Sequence, residues 1–229
     1  MDRIPRRLLV VGTALCVLAF AASVVFVLLD PDPAPDRVSI VYHTVAAQPA
    51  ASEEAPAPQR VYPVVGGSSS YGRSHHGYPA SDIIADCGLT YVAPYSGVVH
   101  EVNRVDSYDP ATNVGVTRGG LSVAILGDDG VRYYGSHFSS INDAIAPGAR
   151  VNAGDPVAIV GRTGDAGVCH VHFGLSPVCA DGDWFHRRGV IWPWPYLDSW
   201  RGGGNADPAP AVNQWAKESG CPDTPSVEP

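Results

Sequence analysis

The stretch Leu121-Ser122-Val123-Ala124-Ile125-Leu126, Gly127-Asp128-Asp129-Gly130, Val131-Arg132-Tyr133-Tyr134 leaves the backbone little choice. Two runs that alternate with period two flank an Asp-Gly pair. Asp-Gly takes the positive-φ conformations of a tight hairpin turn at little cost, so the two runs are predicted to pair antiparallel. The surroundings repeat the theme. Val92–Val99 is expected to end one hairpin, and Ile145–Val151, the turn Asn152–Asp155 and Pro156–Gly161 read as a second strand–turn–strand unit. No apolar period of 3.6 appears until Pro195–Gly202, a short helix with Pro at its start and Gly beyond its end. The expected fold class is all-β, a small antiparallel sandwich or partly open barrel. Residues 61–203 form the globular unit, about 140 residues, enough to bury one core. Residues 204–229, rich in Gly, Pro and Asp, read as a loose tail.

The N-terminal end follows other rules. Residues 1–7 carry Arg3, Arg6 and Arg7, and Leu8–Leu29 then runs without a charged side chain. At about 1.5 Å per residue that run spans a hydrocarbon core about 30 Å thick. The basic flank is expected to stay in the cytoplasm, leaving everything after Asp30 outside. A cleaved signal peptide is the rival, with Ala19-Phe20-Ala21 as its site. Such a segment has an apolar region of only about 7–15 residues, and this one continues through Leu29, so an uncleaved single-pass anchor is preferred. Residues 30–60 are rich in Pro, Ala and acidic residues and read as an extended linker; Arg37–His43 alternates enough for one short strand.

Cys87, Cys169, Cys179 and Cys221 lie beyond the apolar run, an even number that in an exported domain favours two disulfides. Three pairings are open, although an extended His170–Ser176 would carry Cys169 and Cys179 too far apart to bond. Acidic residues outnumber basic ones, 23 to 15, for a net charge of −8, and three of the arginines sit in the N-terminal flank. That balance excludes a phosphate-binding surface, so no nucleic acid is expected as partner. The turn pattern from Pro147 to Ala158 is similar to that of biotinyl and lipoyl carrier domains. Those need a lysine at the hairpin tip, and the single lysine here, Lys217, lies in the tail.

Three separated histidine signals remain: Ser74-His75-His76-Gly77-Tyr78-Pro79-Ala80-Ser81-Asp82, Tyr134-Gly135-Ser136-His137, and His170-Val171-His172-Phe173. On a strand, His170 and His172 point the same way while Val171 and Phe173 pack behind. Together with Gly97-Val98-Val99 and the Gly-x-x-Val-x-x-Gly-x-x-Val pattern from Gly148, these motifs give Tyr71–Ser176 a resemblance to the LytM/lysostaphin-type zinc metallopeptidases, peptidase family M23. The resemblance implies a Zn2+ held by His75, Asp82 and His172 with a fourth position for water, His137 as general base and His170 as a hydrogen-bond partner of the oxyanion. It also implies a peptidoglycan stem peptide or cross-bridge as substrate, and leaves room for a regulatory protein partner.

The first motif departs from the family's His-x-x-x-Asp spacing, since Asp82 lies seven residues after His75 and six after His76. His75 is preferred over His76 because Gly77 keeps the His-x-Gly spacing, and His75-x-x-Tyr78-x-Ala80-x-Asp82 matches the related D-Ala-D-Ala metallopeptidases. Tyr71 is a lesser candidate for the oxyanion site. His43, His100 and His186 have no partner pattern and read as structural; for Trp184, Trp192, Trp194 and Trp200 packing is preferred over the floor of a saccharide or peptide groove. Two other functions compete: a non-catalytic LytM-like wall-binding or amidase-activating module, and a D,D-carboxypeptidase. The latter wants a Glu shortly before His-x-His, where only Asp165 comes near.

Overall fold

A computed structural model describes residues 59–179 and 183–221. The expected membrane span, its basic flank and the short strand at Arg37–His43 fall outside the described residues. Ten strands form one antiparallel, nearly closed sheet. They are β1 (Val64–Val65), β2 (Ser69–Tyr71), β3 (Ser81–Ala85), β4 (Thr90–Val92), β5 (Gly97–Asn103), β6 (Leu121–Gly127), β7 (Arg132–Ile141), β8 (Arg150–Val151), β9 (Pro156–Val160) and β10 (His170–Ser176). The main path runs β1-β4-β9-β7-β10-β3-β2, with β6 also on β7 and β5 bridging β6 to β8.

The Asp-Gly hairpin forms as expected. Leu126 faces Arg132 and Ser122 faces Ser136 across β6 and β7, and Gly130 takes φ +78° at the turn. Two other expectations are corrected. Val92–Val99 does not end a hairpin, because β4 pairs with β1 and β9 while β5 pairs with β6 and β8. Nor do β8 and β9 pair with each other. The turn between them is instead pinned to another part of the chain, with Gly154 N–H donating to Ala93 O and Ala93 N–H to Asp155 O, both at 2.9 Å. The cause is tertiary: β9 buries Val157 and Val160 between β4 and β7, completing the core in a way a lone β8–β9 hairpin would not.

That core is built on Ile83, Tyr91, Ile125, Tyr133, Phe138, Phe173 and Leu175, all fully buried. Each such side chain contributes roughly 1.5–3 kcal/mol over leaving it exposed. In β3 and β10 the pleat sends Ile83, Val171 and Phe173 into this core. Their alternate neighbours Asp82, His170 and His172 therefore face the other way.

Three helices follow: α1 (Trp184–Arg187), α2 (Trp194–Arg201) and α3 (Ala209–Ser219). Helix α2 matches the expected Pro-initiated helix, and its Leu197 and Trp200 enter the core. Residues 204–229 are not loose throughout, as α3 falls within them. Val212 of α3 is 1% exposed, and the helix leads to Cys221, which is disulfide-bonded to Cys179 with Cα atoms 5.2 Å apart. A second disulfide joins Cys87 to Cys169, Cα atoms 5.3 Å apart. At the opposite edge Arg60 is buried and bonded to Asp129 Oδ2 at 2.8 Å and Asp207 Oδ1 at 2.6 Å, while Tyr133 Oη donates to Asp129 Oδ2 at 2.7 Å.

Candidate metal centre

Strands β3 and β10 are registered with His172 opposite Asp82 and His170 opposite Ile84. On its other side β10 faces β7, with His172 opposite Ser136. The register thus brings two histidines of β10 beside one carboxylate of β3 and the centre of β7. His172 Nδ1 lies 3.1 Å from Asp82 Oδ1, His170 Nε2 lies 3.8 Å from the same oxygen, and His75 Nε2 lies 3.6 Å from Asp82 Oδ2. Ligand atoms of His75, Asp82 and His172 all fall within 4.8 Å of one another. His76 stays exposed, its ring centroid 5.4 Å from that of His75.

His137 reaches the same place by a device the motif did not signal. Register between β6 and β7 slips between Leu121/Ser122, where Leu121 faces Phe138 but Ser122 faces Ser136. His137 is the extra residue. It adopts φ +69°, a left-handed conformation that a residue with a Cβ seldom takes. The bulge lets Phe138 return to the core while His137 turns into the cleft, its ring centroid 4.5 Å from His170. It also marks where β7 changes partner, from β10 up to Ser136 to β9 from Phe138 onward.

Backbone carbonyls tether three of the rings. His137 Nδ1 lies 2.8 Å from Thr163 O, His170 Nδ1 2.9 Å from Val168 O, and His172 Nε2 2.9 Å from Arg188 O. A carbonyl only accepts, so each of those ring nitrogens carries a proton, and the opposite nitrogen of each neutral ring offers a lone pair to the cleft. Gly174 makes the last tether possible, since a Cβ there would stand 2.3 Å from Arg188 O. His75 has no such tether, and its Nδ1 is buried without a hydrogen-bond partner.

The consequence is chemical. The lone pair of His172 Nδ1 and a carboxylate oxygen of Asp82 face each other at 3.1 Å, a contact that repels unless a cation lies between. Burial works against the charge of Asp82, but the hydrogen bond and positive field of His172, with His75 and His170 behind, hold its pKa down at about 2. Burial and the neighbouring His172 lower His75 to about 4, and burial with His170 lowers His137 to about 4. Two imidazole nitrogens and one carboxylate oxygen so close together suit Zn2+ with a coordination position left open.

The centre lines a cleft of about 490 Å³. Sequence reasoning missed several of its walls: Tyr78, Tyr134, Arg187 and Arg188, together with the Thr163 and Val168 carbonyls. The one available signal was the Arg187-Arg188 pair in an acidic chain. Tyr71 does not reach the centre, as its hydroxyl donates to Asp198 Oδ1 at 2.8 Å. Trp200 packs in the core as expected, whereas Trp184 lines the cleft. A second cluster, Cys179, Asp183 and His186, offers no thiolate because Cys179 is disulfide-bonded. His186 Nδ1 sits 2.9 Å from Asp183 Oδ2, and Asp183 caps α1 through the His186 N–H.

Residues 74–183 match the model of peptidase family M23. None of the curated proteins compared with the chain matches it. Among solved structures, the catalytic domain of the antimicrobial peptidase lysostaphin from Staphylococcus simulans is 23% identical, with a TM-score of 0.43 over 58% of this chain and 91% of that one. A putative glycyl-glycine endopeptidase lytM from Ruminococcus gnavus is 18% identical, with a TM-score of 0.48 over 65% of this chain and 62% of that one. A zinc-containing peptidase from Vibrio cholerae is 18% identical, with a TM-score of 0.39 over 52% of this chain and 36% of that one.

Proposed function

Residues 74–183 match the model of peptidase family M23, and from that match we propose that the chain is a Zn2+-dependent endopeptidase that hydrolyses peptide bonds of bacterial peptidoglycan. The observation that carries the reading is the pair of acceptors facing at 3.1 Å, His172 Nδ1 and Asp82 Oδ1, with His75 Nε2 3.6 Å from the second carboxylate oxygen. His75, Asp82 and His172 would hold the metal. When bound there, Zn2+ acts as a Lewis acid, polarising a carbonyl and lowering the pKa of water to about 7.

The remaining steps belong to the chain's own side chains. His137 is buried and neutral at physiological pH, with Nδ1–H tied to Thr163 O and Nε2 free. It takes the proton of the attacking water and returns it to the leaving amine. The carbonyl tether keeps the ring from rotating away between those two transfers. His170 is held by Val168 O in the same sense, which turns its Nε2 to the cleft, 3.8 Å from Asp82 Oδ1 and in reach of the oxygen that gains negative charge.

The domain works outside the cytoplasm, held to the membrane by Leu8–Leu29. The two disulfides support that placement, because such bonds persist in oxidising compartments. The test is metal analysis of the purified chain beside a digest of isolated peptidoglycan, comparing wild type with His75→Ala, His76→Ala and His172→Ala. One equivalent of zinc and new amino termini in wild type, both lost with His75→Ala and His172→Ala, are expected. Zinc loss in the His76 variant but not the His75 variant reverses the ligand assignment. Full zinc with no cleavage favours the wall-binding module.

A further inference from the structure

The chain is acidic overall, yet the cleft beside the metal centre collects three guanidinium groups, those of Arg118, Arg187 and Arg188. Two of them are engaged. Arg118 Nε donates to Asn113 Oδ1 at 2.9 Å, and Arg187 Nη1 bonds both carboxylate oxygens of Glu101 at 2.9 and 3.0 Å. Arg188 differs. Its Cζ lies 3.9 Å from the ring centroid of Tyr78, 4.1 Å from that of Phe185 and 5.1 Å from that of Trp184. Its Nε is buried with no hydrogen-bond partner. Among the described residues no carboxylate forms an ion pair with it.

Three aromatic faces therefore grip the Arg188 side chain in one place, where its charge lines the cleft with no counter-ion. Its position relative to the centre is close. Tyr78, under the guanidinium, has its ring centroid 4.5 Å from that of His75 and 5.8 Å from that of His172. The Arg188 carbonyl is the group that tethers His172. A buried guanidinium N–H is costly to leave unpaired, and a guanidinium already fixed by stacking loses little freedom when it takes a carboxylate in its planar fork.

Resting on the peptidase reading, we infer that Arg188 forms an anion subsite next to the scissile bond, and that the chain's substrates are peptides carrying a free carboxylate there rather than neutral, carboxylate-free linkers. The aromatic cage positions the fork, and the substrate carboxylate supplies the missing counter-ion. The net charge of the chain does not oppose this, because recognition is local to the cleft and longer-range repulsion is screened over about 8 Å in physiological salt.

The test uses two synthetic peptides that differ only in one group beside the scissile amide, a free carboxylate in one and the carboxamide in the other. Zinc-loaded full chain is assayed for cleavage by kcat/KM and for binding by calorimetry, as wild type and as Arg188→Met, with zinc content and melting temperature measured on both. Wild type is expected to favour the acid peptide roughly 10- to 100-fold, the range of a hydrogen bond to a charged group. Arg188→Met is expected to erase that preference while keeping its zinc. Equal treatment of the two peptides by wild type overturns the subsite without mutagenesis, so a variant that fails to fold does not protect it. A preference that survives Arg188→Met also overturns it. If wild type cleaves neither peptide but binds the acid more tightly, and Arg188→Met loses that difference, the peptidase reading falls and the subsite stands. Absence of both cleavage and preferential binding overturns the subsite too.

Discussion

Tyr133 and Tyr134 are neighbours on β7, yet they serve opposite ends of the polar interior. The Tyr133 hydroxyl joins Arg60, Asp129 and Asp207, where every charge has a counterpart within 3 Å. Burial works against the Arg60 charge, but Tyr133 and Asp129 raise its pKa and hold it protonated. Tyr134 faces the cleft, where acceptors point at acceptors, His75 Nδ1 and the Arg188 Nε lack partners, and His137 sits in a left-handed conformation. Both regions bury comparable polar groups. The first is satisfied and anchors Arg60, ahead of β1, to the segment ahead of α3; the second is left incomplete. A buried polar cluster that closes on itself stabilises the fold, whereas one that stays open is waiting for a ligand.

The sharpest way to break the contrast is to swap the consequences. His172→Ala is expected to abolish zinc binding and reduce peptidoglycan cleavage at least about a thousandfold while the domain still folds, because only the open cluster loses a member; metal analysis and circular dichroism together check this. His137→Gly is expected to lower kcat roughly 10²- to 10⁴-fold, the usual value of a general base. The same change removes a strained φ, so the melting temperature should hold or rise, by about 1 kcal/mol in stability at most. A fall in both would mean that the bulge depends on the imidazole tether to Thr163 rather than opposing it.

At the closed cluster the signs reverse. Arg60→Met strands Asp129 in the interior and is expected to cost about 3–5 kcal/mol in urea unfolding with kcat unchanged. Acid should then find the open cluster first. His75 and His137 have folded pKa values near 4, below the usual 6.5, so the unfolded chain binds more protons between those values. The metal-free protein should lose stability as pH falls from about 6.5 to about 4, by on the order of 3 kcal/mol from the buried His137. Asp82 acts in a lower window, its contribution being lost as pH falls from about 3.8 towards about 2. Melting curves of the metal-free protein at pH 7, 5.5, 4 and 2.5 separate the two. His76→Ala should change zinc content and activity less than twofold, the smallest effect of the series.

Much of the fold could be read in advance where the signal was local. The β6–β7 hairpin follows from Asp-Gly between alternating runs, and α2 from Pro195 and Gly202. The β8–β9 hairpin failed as an expectation because Gly154 and Asp155 bond to Ala93, some sixty residues away, a partner that no local pattern encodes. Helix α3 was missed for a related reason. Its few apolar residues look weak until Val212 meets the core. For the site, His170-x-His172 was legible through the pleat of a single strand, while the place of His75, with Nε2 3.6 Å from Asp82 Oδ2, came from the fold. The bulge at His137 and the Arg188 subsite were not legible, since one depends on a register slip and the other on three aromatic rings held around one side chain.

By itself the amino-acid order determined the residue types available to a metal, the all-β pairing tendency and the even set of cysteines beyond the apolar run, because these depend on composition and on neighbours a few positions apart. Only the tertiary structure decided that Cys87 bonds Cys169 and Cys179 bonds Cys221, that a carboxylate and a lone pair meet at 3.1 Å, and that one arginine in the cleft has no counter-ion among the described residues. Those outcomes depend on strand register, and register is set by the burial of side chains from every part of the domain at once.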